Sequence, residues 1–77
     1  MNPFPSMKAK RLLSLLERKP LSYRVVRQSG SHRRMESAGR PSFTFAFHDK
    51  ATIRPALVRK ILTEDVGLAE DEARKLL

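Results

Sequence analysis

The stretch Phe43-Thr44-Phe45-Ala46-Phe47 constrains this chain more than any other. Its phenylalanines recur at every second position, the period of an extended strand, so all three fall on one face. Such a strand cannot stand alone in water. It needs strands beside it and a second layer over the aromatic face. With 77 residues in all, that cover must come from the chain's own helices, packed around one modest core.

The flanking segments supply both layers. Ser6 is placed to cap a helix running to about Arg18. Ala9, Leu12, Leu13 and Leu16 form its apolar stripe, with Lys8, Arg11 and Arg18 off it. Pro20 stops it, having no amide proton to donate. The proline-bearing start, residues 1–6, reads as an extended, dispensable lead. Ser22 to Gln28 is a strand, Ser29-Gly30 a two-residue turn, and Ser31 to Glu36 a second strand. That turn pairs Gln28 with Ser31 and Arg27 with His32. It sets Tyr23 and Val25 on the face of His32, with Val26 and Met35 opposite. Neither face is then cleanly apolar, and a bulge near the turn would resolve the conflict. Ser37 to Pro41 forms a loop before the phenylalanine strand. Pro55 suits the first turn of a second helix with Leu57, Val58, Ile61 and Leu62 as its stripe. Gly67 stops that helix, and Ala69-Glu70-Asp71-Glu72 opens a short terminal one with acids at its positive end. The expected architecture is a single α+β domain over residues 1–77: helix, three-stranded antiparallel sheet, helix, and a short C-terminal helix.

Charge is distributed unevenly along this order. Residues 1–40 hold Lys8, Lys10, Arg11, Arg18, Lys19, Arg24, Arg27, Arg33, Arg34 and Arg40 against only Glu17 and Glu36. Residues 41–77 carry six charges of each sign, so the net +8 resides entirely in the first half. A field this one-sided favours a polyanion, either nucleic acid or an acidic protein. The chain has no cysteine, and its two histidines and scattered acids make no ligand cluster, so neither a metal nor another cofactor is expected. No apolar run approaches the ~20 residues that span a bilayer. Met1-Asn2-Pro3-Phe4-Pro5 lacks the charge and apolar run of a secretory signal. A cytoplasmic protein with no membrane partner is the expectation.

The cationic excess surrounds Arg27-Gln28-Ser29-Gly30-Ser31-His32-Arg33-Arg34. A free imidazole titrates near ~6.5, so a histidine can take or give a proton close to neutrality. RNA strand scission needs little more: a base to draw the proton from a 2′-hydroxyl, and cations to steady the phosphorus centre that the oxygen attacks. His32 fits the first role, and Arg27, Arg33 or Arg34 the second, with Gln28 and Ser31 as further contacts. By spacing alone Gly-Ser-His is a weak signal, and it fits a strand histidine exposed to water, or bonded to the backbone, better than a catalytic one. His48, at the end of the phenylalanine strand, is a candidate second acid/base or an ordinary strand cap. Glu36 fits a surface pair with an arginine. Tyr23 and the phenylalanines fit the core better than base stacking.

Arg27-Gln28-x-Gly30-Ser31-His32 resembles the signature of the HicA toxin family, the small mRNA interferases of HicA–HicB type II toxin–antitoxin systems. Met7-Lys8-Ala9-Lys10 with Leu12, Leu13, Leu15 and Leu16 is similar to that family's opening helix. Phe43 to His48 resembles its histidine-ended strand, and Leu57 to Leu68 its closing helix. The resemblance implies a fold like the double-stranded-RNA-binding domain and metal-independent endoribonuclease activity on mRNA. It makes His32 the catalytic residue and implies a HicB-like antitoxin that inhibits by direct binding. Departures lie at Arg33-Arg34-Met35 after the motif, at Ala46-Phe47 before the later histidine, and at Arg54-Pro55-Ala56 on entry to the closing helix. Two other classes share these features: a non-catalytic double-stranded-RNA-binding module, and a basic protein-interaction domain. The former lacks the lysine cluster expected at the start of its last helix. Direct DNA binding by this chain alone is not expected, because no polar recognition helix is evident.

Overall fold

The computed structural model describes residues 4–77. In chain order it contains β1 (Met7–Lys8), α1 (Ala9–Glu17), β2 (Arg24–Ser29), β3 (His32–Glu36), β4 (Phe43–Ala46), β5 (Thr52–Ile53), α2 (Pro55–Lys60) and α3 (Glu70–Lys75). A π-helical turn, Ile61–Asp65, continues α2. Strands β2, β3 and β4 form an antiparallel sheet in that order, and β1 pairs with β5 in a separate ribbon. This is the α+β order that the hydrophobic pattern implies and the double-stranded-RNA-binding-domain-like fold that the family resemblance implies.

The period-2 spacing of the phenylalanines sets the burial along β4. Phe43 and Phe45 are buried and Thr44 and Ala46 exposed. Phe47 lies just past the strand, packed edge-on against Phe45 with ring centroids 5.3 Å apart. Helices provide the cover: Leu12 and Leu16 of α1, Val58 of α2 and Leu62 beyond it are fully buried against this face. Tyr23 belongs to the same core. Its ring meets Phe43 edge-on at 5.1 Å, and its hydroxyl donates to the Pro41 carbonyl at 2.8 Å. Burial, opposed by Arg40 and assisted by Asp65, raises its phenol above the ordinary tyrosine value.

The hairpin corrects the expected register by one residue. Its loop is Gly30-Ser31, so Ser29 pairs with His32, Gln28 with Arg33 and Arg27 with Arg34. A bulge does occur, but at Val26 in the body of β2 rather than near the turn: Val25 pairs with Met35 and Arg24 with Glu36. The cause is visible in the side chains. Without the bulge, Val26 and Arg24 would share the core face with Met35. One extra residue turns Val25 and Tyr23 inward, leaves Arg24 in solvent and puts Val26 outside, 44% exposed.

The chain's beginning also departs from expectation. Ser6 does not cap α1; Met7 and Lys8 are strand residues opposite Ile53 and Thr52. The first helical donors are satisfied by backbone instead: Ala9 N–H donates to the Ala51 carbonyl at 2.8 Å and Lys10 N–H to that of Asp49 at 3.2 Å. Phe4 and Met7 are buried, so the segment read as a lead contributes to the core from residue 4 onward. The rest of that reading, residues 1–3, lies outside the described residues.

Pro55 occupies the first turn of α2. Further on, Thr63 Oγ1 donates to the Arg59 carbonyl four residues back, and Val66 N–H reaches Ile61 five back, where the helix widens. Gly67 ends the run with a φ of 85°. Asp65, near that end, has its carboxyl raised by burial and Glu64 against the opposing charge of Lys60. Helix α3 is tied back through Glu70, which takes Arg59 at 2.8 Å and Arg74 at 3.2 Å. The hydrogen bond and charge of Arg59, with Arg74 adding to them, hold the Glu70 carboxyl below its usual range. A carboxyl depressed on folding adds stability above its unfolded titration range, and that stability is lost as pH falls through the folded value. Glu70→Gln is therefore expected to flatten the acid side of a melting-temperature profile, modestly because the pair is solvent-exposed. An unaltered acid limb would contradict this.

Candidate nucleic-acid interface

Strand alternation sorts the cations of the hairpin onto two faces. Arg33 follows the core-facing positions, its partner in β4 being the buried Phe45. His32 and Arg34 face the other way, opposite Ala46 and Thr44. Arg27, across from Arg34, and Ser29, across from His32, complete this open face. No helix covers it. Arg27, Ser29, His32, Arg34 and Thr44 together line a shallow concavity of about 140 Å³.

Its electrostatics follow from the pairing. Arg27 and Arg34 are direct cross-strand neighbours, and like charges so placed repel. No acidic side chain lines the concavity. Among the described residues neither arginine forms an ion pair; Arg34 only reaches Thr44 Oγ1 at 3.4 Å. An anion seated between them relieves that repulsion. The exposed His32 ring lies at the same place, across from the small Ala46. The arrangement can hold a phosphodiester beside a proton acceptor.

The turn that presents His32 is built locally. Gly30 has a φ of 59°, the left-handed region that glycine enters without the Cβ penalty. Gln28 Nε2 donates to the Gly30 carbonyl at 3.0 Å and braces the loop. A Cβ on Gly30 would meet no atom within 4 Å, so Gly30→Ala should cost only the backbone strain, about 1–2 kcal/mol. Denaturant midpoints test this, and an unshifted midpoint would contradict it.

The remaining residues singled out from sequence lie elsewhere. Arg33 donates through Nη2 to Asp49 Oδ1 at 2.9 Å and through Nη1 to the Phe47 carbonyl at 3.3 Å. With Gly30, Ser31, His48, Asp49 and Lys50 it lines a separate concavity beyond the hairpin tip. Thus Arg27, His32 and Arg34 come together, Gln28 serves the turn, and Ser31, Arg33 and His48 share the second hollow. Sequence reasoning missed Ser29 and Thr44 on the open face. Thr44 was discoverable, since it occupies an outward position between two inward phenylalanines. A third hollow, between residues 5–7, α1 and Leu76-Leu77, is lined by none of these residues.

A helix-backed three-stranded sheet with one bare face, basic around His32 and carrying Glu36 opposite Arg24 at its far end, defines a small α+β domain with a fold like that of the double-stranded-RNA-binding domain. Residues 9–68 match the family model described as HicA toxin of bacterial toxin-antitoxin, and the chain belongs to that family. It is accordingly a toxin-family member of a toxin–antitoxin system, a class that implies a cognate antitoxin partner. No curated protein and no solved structure matches the chain. Among the described residues, no group of three His, Cys, Asp or Glu side chains is placed to hold a metal ion. Among the same residues no helix is long and apolar enough to cross a membrane.

Proposed function

We propose that this chain is a metal-independent endoribonuclease that cleaves mRNA as a type II toxin, with His32 as general acid/base. The observation that carries the reading is the acid-free concavity in which the cross-strand pair Arg27 and Arg34 stands beside His32. Membership of the HicA family supports the reaction class. In the proposed step, the His32 imidazole takes the proton of a ribose 2′-hydroxyl. The 2′-oxygen forms a bond to the adjacent phosphorus as the bond to the 5′-oxygen breaks. The leaving oxygen is protonated from the imidazolium or water, and the products end in a 2′,3′-cyclic phosphate and a 5′-hydroxyl. Arg27 and Arg34 bear the charge on the non-bridging oxygens, and the Ser29 and Thr44 hydroxyls are positioned to orient the substrate. No step calls for a metal or organic cofactor.

The partner is a cognate HicB-like antitoxin that silences the toxin by direct binding, and the place of action is the cytoplasm, where mRNA lies. Purified protein incubated with single-stranded RNA in excess chelator should release fragments, and the same sequence as DNA should stay whole. Addition of the antitoxin should stop the cutting. RNA bound but intact after long incubation would refute the proposal in favour of a double-stranded-RNA-binding module. A chain that ignores RNA yet holds an acidic partner would refute it in favour of a protein-interaction domain.

A further inference from the structure

The second concavity, about 420 Å³, is lined by Gly30, Ser31, Arg33, His48, Asp49 and Lys50 and shares no residue with the His32 hollow. Two properties set it apart from an ordinary loop depression. The first is the fixity of its loop. Ala51 N–H donates to the His48 carbonyl at 2.9 Å, and α1 donates to the Ala51 and Asp49 carbonyls. Lys8 Nζ reaches the Lys50 carbonyl at 3.2 Å, and the Asp49 carboxylate takes Arg33 at 2.9 Å. His48 and Lys50 are thus exposed side chains on a backbone already ordered, so a ligand need only order the side chains there.

The second property is charge. Asp49 is occupied by Arg33, whose side chain is only 13% exposed. Among the described residues, no ion pair or hydrogen bond engages the Lys50 ammonium. Arg33 balances the charge of Asp49, so Lys50 leaves the hollow with one net positive charge, and the His48 ring and the Ser31 hydroxyl add polar groups to the same lining. The tip, residues 29–32, gives Ser29 and His32 to one hollow and Gly30 and Ser31 to the other, and a Cβ on Gly30 would meet nothing within 4 Å, so a polymer can pass close to the backbone there.

We propose that this concavity is a second RNA subsite: it holds the phosphate of a nucleotide neighbouring the one cut at His32, the strand crossing the hairpin tip between them. The inference rests on the ribonuclease reading for its ligand. A double helix is too stiff to turn over so narrow a ridge, so the substrate it implies is single-stranded. His48 then binds RNA and takes no part in the proton transfer at His32.

The test uses a mixed-sequence RNA of about twelve nucleotides, a length within the range that single-strand sites span, with every ribose 2′-O-methylated so that it cannot be cut. Its affinity for wild type, Lys50→Ala and His48→Gln is measured across a salt series. Loss of one phosphate contact on a single strand lowers the slope of log K against log salt by ~0.7. Lys50→Ala should show that drop with several-fold weaker binding. On cleavable RNA both variants should raise KM and leave kcat unchanged. Lys75→Ala, on α3, should change neither. An unchanged salt slope for Lys50→Ala overturns the subsite, as does a fall in kcat at constant KM. Binding that shows the expected slope change in a protein that cuts nothing refutes the ribonuclease reading and leaves the subsite standing.

Discussion

His32→Ala should cut RNA ~10²–10⁴-fold more slowly than wild type, the range that a positioned general acid–base group contributes. Its folding should be unaffected, because His32 is an exposed side chain on the bare face of the sheet and touches no part of the core. This pairing of a large kinetic loss with an unmoved melting curve separates a chemical role from a structural one. Expression of the variant should likewise no longer arrest growth. Equal cleavage by the two proteins would remove His32 from the mechanism. A matching loss of stability would show that the substitution had damaged the sheet.

The opposite pattern is expected at Phe45, which is 1% exposed and shared between the sheet and the helical layer. Truncating a buried phenylalanine to alanine costs about 3–5 kcal/mol, because apolar transfer is lost and a cavity remains. A chain of this length has roughly 4–12 kcal/mol in total at the usual stability per residue. Phe45→Ala should therefore lower Tm by more than about 12 °C and leave a substantial unfolded fraction at the warm end of the working range. Any loss of activity should follow that fraction. A Tm within a few degrees of wild type would contradict the packing described for the aromatic face.

The same two residues show how far the sequence speaks. Phe45 lies in a period-2 run whose burial could be read directly, and the apolar spacing along α1 and α2 was nearly as plain, except that Leu15 is the buried residue of α1 where Leu13, only partly buried, was expected. The hairpin register was not legible. Val25 and Val26 are both β-branched and apolar, and the choice between them depends on keeping Arg24 in water and Tyr23 in the core. That choice is settled only when both strands and the helices are in place. The pairing of Met7–Lys8 with Thr52–Ile53 was invisible for a different reason. Two-residue strands so distant in sequence carry no periodic signal. At the candidate site, the motif drew attention to the turn that carries His32 but treated Arg33 and Arg34 alike. Adjacent strand residues face opposite ways, so one arginine stands beside His32 while the other is committed to Asp49. His48, tied by resemblance to the strand end, opens into the hollow beyond the tip.

The central claim is that the open face around His32 cuts RNA through the ribose 2′-hydroxyl. The most direct measurement maps the position at which the wild-type protein cuts an end-labelled RNA, in the presence of chelator. It then repeats the reaction on the same RNA with a single 2′-deoxy residue on the 5′ side of that bond. Cleavage at the mapped position should vanish, and the fragments from the unmodified RNA should end in a 2′,3′-cyclic phosphate. Continued cleavage of the deoxy-substituted bond, or fragments ending in a 3′-hydroxyl, would contradict the account.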